Sequence, residues 1–366
     1  MNIPMVDLKE QYKVLKKEID STVLDIMASG WFIMGPRVQE FEEAAAEYCQ
    51  TRFAVGCASG TDALMMALMA IDIRPGDEII TTPFTFAATA EVIRLLGAKA
   101  VFVDVRPDDY NIDTDKIRGA VTEKTRAIIP VHLYGQTADM DPISEIAAER
   151  GLVMIEDACQ AIGARYKEKR ACSMGHMGCL SFFPAKNLGA FGDGGMVLTS
   201  DETLLGKLRM IRDHGSDRRY HHAVLGLNSR LDALQAGILH VKLKHIEEWN
   251  EARRDRAALY SELLKTAKVG LPVIRETNDH VFHQYTIRVK DRGGLQKHLG
   301  DAGIATAIHY PVPLHLQPAF QEPGVGEGSF PVAEEAARQV ISLPMYPELK
   351  EEAIETIAKT IVDFTG

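Results

Sequence analysis

The 366-residue chain has no apolar run approaching the roughly 18 residues that a membrane span requires. Its first residues form no signal-peptide core, because Lys9, Lys13, Lys16 and Lys17 interrupt an amphipathic helix pattern. Cysteine is scarce: Cys49, Cys57, Cys159, Cys172 and Cys179 are odd in number and show no CxxC spacing. That argues against a disulfide framework and predicts reduced, mostly buried thiols in a cytoplasmic protein. Positive charge is also short, since 41 Lys and Arg face 51 Asp and Glu for a formal net charge of -10. Such a balance excludes a general nucleic-acid or membrane-surface role. His, Cys and carboxylates fall in no metal-ligand spacing, so no metal is expected. GxSxG and P-loop signatures, internal repeats and low-complexity segments are missing as well.

What is present is an ordinary globular composition, 46% hydrophobic and 25% charged. Apolar residues at helical spacing run from Leu8 to Ala28, with Gly30 as a stop, and a second helix is expected at Val38 to Tyr48. Short β runs then alternate with helical stretches. The runs are Phe53 to Val55, Glu78 to Thr81, Ala100 to Val103, Ala127 to Val131 and Leu152 to Ile155. The helices are Ala63 to Ile71, Ala87 to Leu96 and Pro142 to Arg150. This alternation predicts an α/β fold with a large, mostly parallel mixed sheet flanked by helices, and ligands outside the carboxyl ends of its strands. Two more strands are expected at Cys179 to Phe183 and Met196 to Thr199, the second able to pair antiparallel. A long helix from Leu231 to about Leu264 marks a boundary. Residues 1–240, N-terminal helix included, read as a large domain, and 241–366 as a smaller C-terminal α/β domain. The latter has a strand at Tyr285 to Val289, a helix at Leu295 to Ala302, a Pro-rich loop from Pro311 to Pro323 and a last helix from about Lys350 to Phe364.

Chemistry concentrates at the strand ends. Lys186 follows Ser181-Phe182-Phe183-Pro184-Ala185 and precedes glycines 189, 192, 194 and 195. Most lysines are solvated, but these flanks are apolar, and desolvation makes a lysine amine nucleophilic. Some 30 residues upstream, Asp157 ends an apolar run; it suits either a helix cap or a buried cationic partner. A lysine and an acid facing one aromatic cofactor is the requirement of pyridoxal phosphate, an amine for the imine and a carboxylate for the ring nitrogen. Ser59-Gly60-Thr61-Asp62-Ala63 reads as a phosphate cradle or a plain helix cap. Phe84 and Phe86 read as core residues or as a ring stacked on the cofactor. Gln160 reads as a ring-substituent contact or a loop residue. Arg212, His214, Arg218, Arg219, His221 and His222 form a basic cluster, either solvated or suited to a diphosphate.

With these motifs in view, the chain resembles the DegT/DnrJ/EryC1/StrS family of pyridoxal-phosphate-dependent nucleotide-sugar aminotransferases. The resemblance runs from Val6-Asp7-Leu8 to Ser342-Leu343-Pro344. It rests on Ser59 to Ala63, Glu156-Asp157-Ala158, Ser181 to Pro184 with Lys186, and Gly192-Asp193-Gly194-Gly195. Within the family it is most similar to enzymes that aminate C3 of UDP-2-acetamido-2-deoxy-3-oxo-D-glucuronate. The features behind that are His214 to His222, Asn228 to Asp232, and Thr306 to Pro311. The resemblance implies a type I aminotransferase fold and a homodimer with shared sites, acting on L-glutamate and a UDP-sugar in surface polysaccharide and lipopolysaccharide biosynthesis. It implies Lys186 as the imine lysine, Asp157 on the ring nitrogen, Phe86 on the ring face and Gln160 near the ring hydroxyl. Gly60, Thr61 and Ser181 would hold the phosphate, with Asn228 reaching it from the partner subunit. Arg230, His309 and Tyr310 would lie on the sugar side, with Arg218 and Arg219 in the substrate-binding set. Cys159 stands where many relatives carry alanine. Some relatives replace the lysine by histidine and dehydrate their sugar; this chain keeps Lys186.

Overall fold

The computed structural model describes residues 2–366. Its centre is a seven-stranded sheet in the order Phe53–Cys57, Gly195–Thr199, Met177–Ser181, Val153–Asp157, Thr125–Ile128, Glu78–Thr81, Lys99–Phe102. Gly195–Thr199 runs against both of its neighbours, and the other strands run parallel to one another. Successive side chains of a strand face opposite layers. Met196 and Leu198 join Phe41, Leu180 and Ala236 on one side, under helices Leu8–Ser29, Pro36–Tyr48 and Ala233–Leu243. Val197 and Cys179 join Val55, Ile155 and Leu208 on the other, under helices Gly60–Ala70, Ala88–Leu95 and Glu202–Arg212. Burial on both faces is why these strands are continuously apolar in the sequence.

Local signals set the helix ends. The Asp7 carboxylate accepts from the Lys9 and Glu10 N–H groups, and Gly30 closes the first helix in the left-handed region at φ 67°. Pro36 opens the next one at its first turn.

Several boundaries differ from expectation. The long helix over 231–264 is two helices, Ala233–Leu243 and Ile246–Leu264. No glycine or proline marks the break, so the apolar periodicity runs through it. A tertiary tether lies beside it, where buried Lys242 donates from Nζ to the Gly189 carbonyl. The strand expected at Cys179 to Phe183 is Met177–Ser181. Phe182 lies beyond its end but is buried edge-on against Phe41, 5.4 Å between centroids. Its apolarity therefore records core packing, not pairing. Helices Thr114–Ala120, Glu202–Arg212 and Pro331–Gln339, and the strand Val340–Leu343, lie outside the expected pattern.

In the C-terminal part, Tyr260 and Tyr285 stack at 4.8 Å within a cluster that includes Leu295, Leu299, Ile341, Ile354, Ile357 and Ile361. Ile3 joins this cluster through a bridge to Ile304. The start of the chain thus packs with its end, and position 240/241 falls inside helix Ala233–Leu243. All five cysteines are free, four of them buried and Cys159 half-buried. No helix among the described residues is long and apolar enough to cross a membrane.

Candidate active site

The carboxyl ends of the parallel strands open into one cleft of about 480 Å³, lined in part by Gly60, Thr61, Phe86, Asp157, Gln160, Ser181, Lys186, His309 and Tyr310. Nine sequence-predicted site residues thus converge from five separate segments. Lys186 sits in a segment tied down along its length. Phe182 N–H donates to Gly194 O, Ala190 N–H to Phe182 O and Lys186 N–H to Phe183 O, each at 2.8 Å. Asn187 Nδ2 reaches Asn250 Oδ1 at 2.8 Å and Val281 O at 2.9 Å. Desolvation lowers the Lys186 pKa below that of an ordinary lysine, with the Asp157 carboxylate among the groups opposing the shift.

Asp157 is 5% exposed at the end of its strand. Thr89 Oγ1 donates to its Oδ2 at 2.7 Å, and Cys159 N–H to its Oδ1 at 3.3 Å. The preceding Glu156 turns to the other side. It is wholly buried and accepts from the N–H groups of Cys172, Met174 and Gly175 at 2.9, 2.7 and 2.6 Å. His132 Nδ1 accepts from Ala138 N–H at 3.2 Å, so its Nε2–H donates to Glu156 at 2.9 Å. The strand end bearing Asp157 is thereby fixed.

Helix Gly60–Ala70 points its N-terminus into the cleft. Ser59 is a true cap, accepting from Asp62 N–H at 3.0 Å, so the helix-cap reading of this motif holds, and Ser59, Gly60 and Thr61 also line the cleft. A Cβ on Gly60 would meet Ser181 Cβ at 2.6 Å and Cys159 Sγ at 3.1 Å, so only glycine leaves the approach open. Phe84 is fully buried, whereas Phe86 is 57% exposed with its ring 6.3 Å from that of Tyr310. Gln160 accepts from Tyr134 N–H at 2.8 Å and donates to Tyr310 Oη at 3.0 Å. The C-terminal part supplies His283, Gln284, His309 and Tyr310 to the opposite wall. Burial, helped by the charge of Lys186, depresses His309 to about 4 and holds His283 well below an ordinary histidine, so both rings stay neutral.

Comparison with known proteins identifies the family. The description of the DegT/DnrJ/EryC1/StrS aminotransferase family matches residues 13–362. The chain belongs to this family. It is 52% identical to a Geobacillus stearothermophilus protein named pleiotropic regulatory protein, over 100% of this chain and 99% of that one. It is 48% identical to the Acidithiobacillus ferrooxidans UDP-N-acetyl-3-dehydro-alpha-D-glucosamine 3-aminotransferase, over 98% and 97% of the two chains. With the Pseudomonas aeruginosa UDP-2-acetamido-2-deoxy-3-oxo-D-glucuronate aminotransferase it shares 45% identity, over 99% and 100%. The solved structure of Streptomyces venezuelae DesV superimposes with a TM-score of 0.97 at 42% identity, covering 100% and 98% of the chains.

DegT-family aminotransferases depend on pyridoxal phosphate, and the cleft of this aminotransferase fits it. It offers a helix N-terminus kept bare by Gly60, a half-buried amine of lowered pKa, and a carboxylate with two donors bound and lone pairs to spare.

Four expected residues lie outside the cleft of their own chain. Asn228 is exposed and pairs by backbone with Asp213. Arg230 is half-buried and its Nη1 donates to Asp213 Oδ1 at 3.0 Å. Arg218 and Arg219 occupy or flank an exposed hairpin of Ser216–Arg218 with His221–His222. Arg212 leaves the expected basic cluster altogether. It ends a helix that faces the sheet, where a charge must be paired, and its Nη1 donates to buried Glu42 at 2.5 Å. Sequence reading missed Ser229, whose Oγ accepts from Ala58 N–H at 3.2 Å and donates to Asp62 at 2.6 Å, bracing the Ser59–Gly60 turn. It also missed Thr89, Asp193, His283 and Gln284. Asp193, inside the quoted glycine motif, and Ser229, inside the Asn228 to Asp232 motif, carried a signal that pointed to them.

Proposed function

We propose that this aminotransferase moves the amino group of L-glutamate to C3 of a UDP-linked 3-keto sugar, UDP-2-acetamido-2-deoxy-3-oxo-D-glucuronate, for surface polysaccharide synthesis in the cytoplasm. The observation that carries the reading is the meeting of Lys186 and Asp157 in one cleft beside a bare helix N-terminus. Gly60, Thr61 and Ser181 would hold the cofactor phosphate, Phe86 its ring face, Gln160 its hydroxyl side and Asp157 its ring nitrogen. When bound, pyridoxal phosphate supplies an aldehyde for imine formation and a protonated ring that accepts an electron pair. Lys186 Nζ would take the proton from the amino donor's α-carbon, and in the second half-reaction would deliver one to the sugar carbon that gains nitrogen. His309 and Tyr310 would hydrogen-bond the sugar as neutral groups.

The test is to incubate the pyridoxamine-phosphate form with a panel of nucleotide-linked keto sugars and follow the return of the imine-bound absorbance. Return with the glucuronate substrate fastest supports the reading, and no return with any sugar overturns it. A second reading, another 3-keto or 4-keto nucleotide sugar, draws support from the 48% identity to an aminotransferase named for a neutral sugar. A purely regulatory role, suggested by the name of the 52% relative, gives no reason to keep Lys186 and Asp157 together.

The site is short of positive charge. Among its lining residues Lys186 is the single lysine or arginine, against Asp157 and Asp193. A cofactor phosphate, a dicarboxylic donor and a diphosphate all need cations. Asn228, Arg230, Arg218 and Arg219 would therefore serve the cleft of a second copy in a homodimer. Trp31, Phe32 and Ile33 are 59%, 46% and 46% exposed, and Ile33 bridges to Asp232 beside this segment, an apolar surface suited to being covered. Mixing Asn228→Ala subunits with Lys186→Ala subunits is expected to restore activity at one of the two sites of each mixed dimer. Mixed dimers that form and remain inactive would rule out a shared site.

Arg230→Ala is expected to impair turnover of the 3-keto glucuronate far more than that of a matched neutral 3-keto sugar. Arginine holds a carboxylate through two parallel N–H donors. One charged hydrogen bond is worth roughly 1.5–3 kcal/mol, or about 10- to 150-fold in kcat/KM. The alternative role is visible in the ion pair with Asp213. Equal losses on both sugars, with the dimer intact, would confine Arg230 to that pairing and remove the case for a uronate.

A further inference from the structure

We infer that Thr85 and Thr89 form a one-way hydroxyl relay into Asp157, and that Thr89 is a positioning residue that keeps the proton on the cofactor's ring nitrogen. The direction follows from counting hydrogens. Thr89 has one hydroxyl hydrogen, and its Oγ1 lies 2.7 Å from Asp157 Oδ2. A carboxylate only accepts, so that hydrogen points to Asp157. The contact between Thr89 Oγ1 and Thr85 Oγ1 at 3.1 Å must then be made by the Thr85 hydrogen. Thr85 is 1% exposed and Thr89 0%, so little water reaches either hydroxyl.

Asp157 thus receives two donors, Thr89 O–H on Oδ2 and Cys159 N–H on Oδ1. An ionised carboxylate offers about four acceptor sites, so room remains for a ring N–H from the cleft. Both existing bonds are made at a site only 5% exposed, where water does not readily replace a lost donor. With its charge already shared among donors, the carboxylate holds the third N–H without removing its proton. Delete the Thr89 hydroxyl and a single donor is left. The proton of the facing N–H then moves toward oxygen, and the ring becomes a poorer electron acceptor. The relay also starts beside Phe86, so the strand-exit loop that presents the stacking ring supplies the first hydroxyl as well.

The experiment uses holoenzyme reconstituted with pyridoxal phosphate carrying nitrogen-15 in its ring, read by nitrogen-15 NMR at rest, where the identity of the sugar plays no part. Thr89→Val keeps shape and removes the hydroxyl. Its ring resonance is expected to move from the pyridinium position toward neutral pyridine, with the glutamate half-reaction slowed about 10-fold or more, the scale of one charge-assisted hydrogen bond. Thr89→Ser should restore both. Thr85→Val should shift the resonance the same way by less, and it decides the matter if Thr89→Val does not hold the cofactor. An unchanged pyridinium resonance in Thr89→Val, or in Thr85→Val where that variant must decide, would reduce the threonines to packing, as would a serine variant that behaves like valine.

Discussion

Lys186→Ala is expected to give a folded protein that takes up pyridoxal phosphate without covalent capture and transfers no amino group at a measurable rate. Two losses would combine on the proposed reading: the imine amine, and the base that moves the substrate proton, which alone accounts for about 10²–10⁴-fold. The fold should survive, because the loop is held by backbone bonds and by Asn187, none of which needs the Lys186 side chain. Borohydride reduction of the wild-type enzyme followed by peptide mapping checks the assignment. A pyridoxyl label on the buried Lys242 or on any further lysine would displace Lys186 from its role.

Asp157→Asn is expected to be almost as damaging. The amide oxygen can still accept from Thr89, although the amide nitrogen then faces the Cys159 N–H without being able to accept from it. Nor can the amide balance the charge of a protonated ring. Breaking a buried ion pair by removing one partner costs about 3–5 kcal/mol, roughly 10²–10⁴-fold when expressed in the chemical step. Single-turnover measurement of the glutamate half-reaction reads the loss directly. A variant within a few-fold of wild type would show that Asp157 is not the ring's partner.

The site residues legible without the family resemblance share one property, a place in or near a strand-exit segment, whereas His309 and Tyr310 came from the resemblance alone. Asp157, Ser181, Gly60 and Phe86 follow apolar runs, and in a parallel sheet those runs all open on one edge. Lys186 was found the same way although its strand ends two residues earlier than the apolar run, because Phe182 is apolar for the sake of the core. Thr89 was not legible. It lies within helix Ala88–Leu95, where a buried threonine has no periodicity to distinguish it from a core position. His283 and Gln284 precede the strand Tyr285–Arg288, more than 90 residues beyond Lys186, and only the packing of the C-terminal part brings them to the cleft. The break after Leu243 escaped notice because a tertiary contact, not a local signal, accompanies it.

The reversed strand Gly195–Thr199 has a consequence for how the amine is presented. A parallel successor to Met177–Ser181 would carry the chain across the sheet and leave the lysine loop anchored at one end. Reversal returns the chain to the edge it has just left, as Ser181 pairing with Gly195 records. Residues 182–194 are therefore clamped at both ends, and the freedom of the Lys186 backbone is lost during folding, before any ligand arrives. In the proposed role the amine would act at an effective molarity, which for well-oriented groups reaches roughly 10⁵–10⁸ M. No amine dissolved in the surrounding medium can approach such a concentration, so a small free amine added to a lysine-less variant works at a disadvantage set by the topology of the sheet.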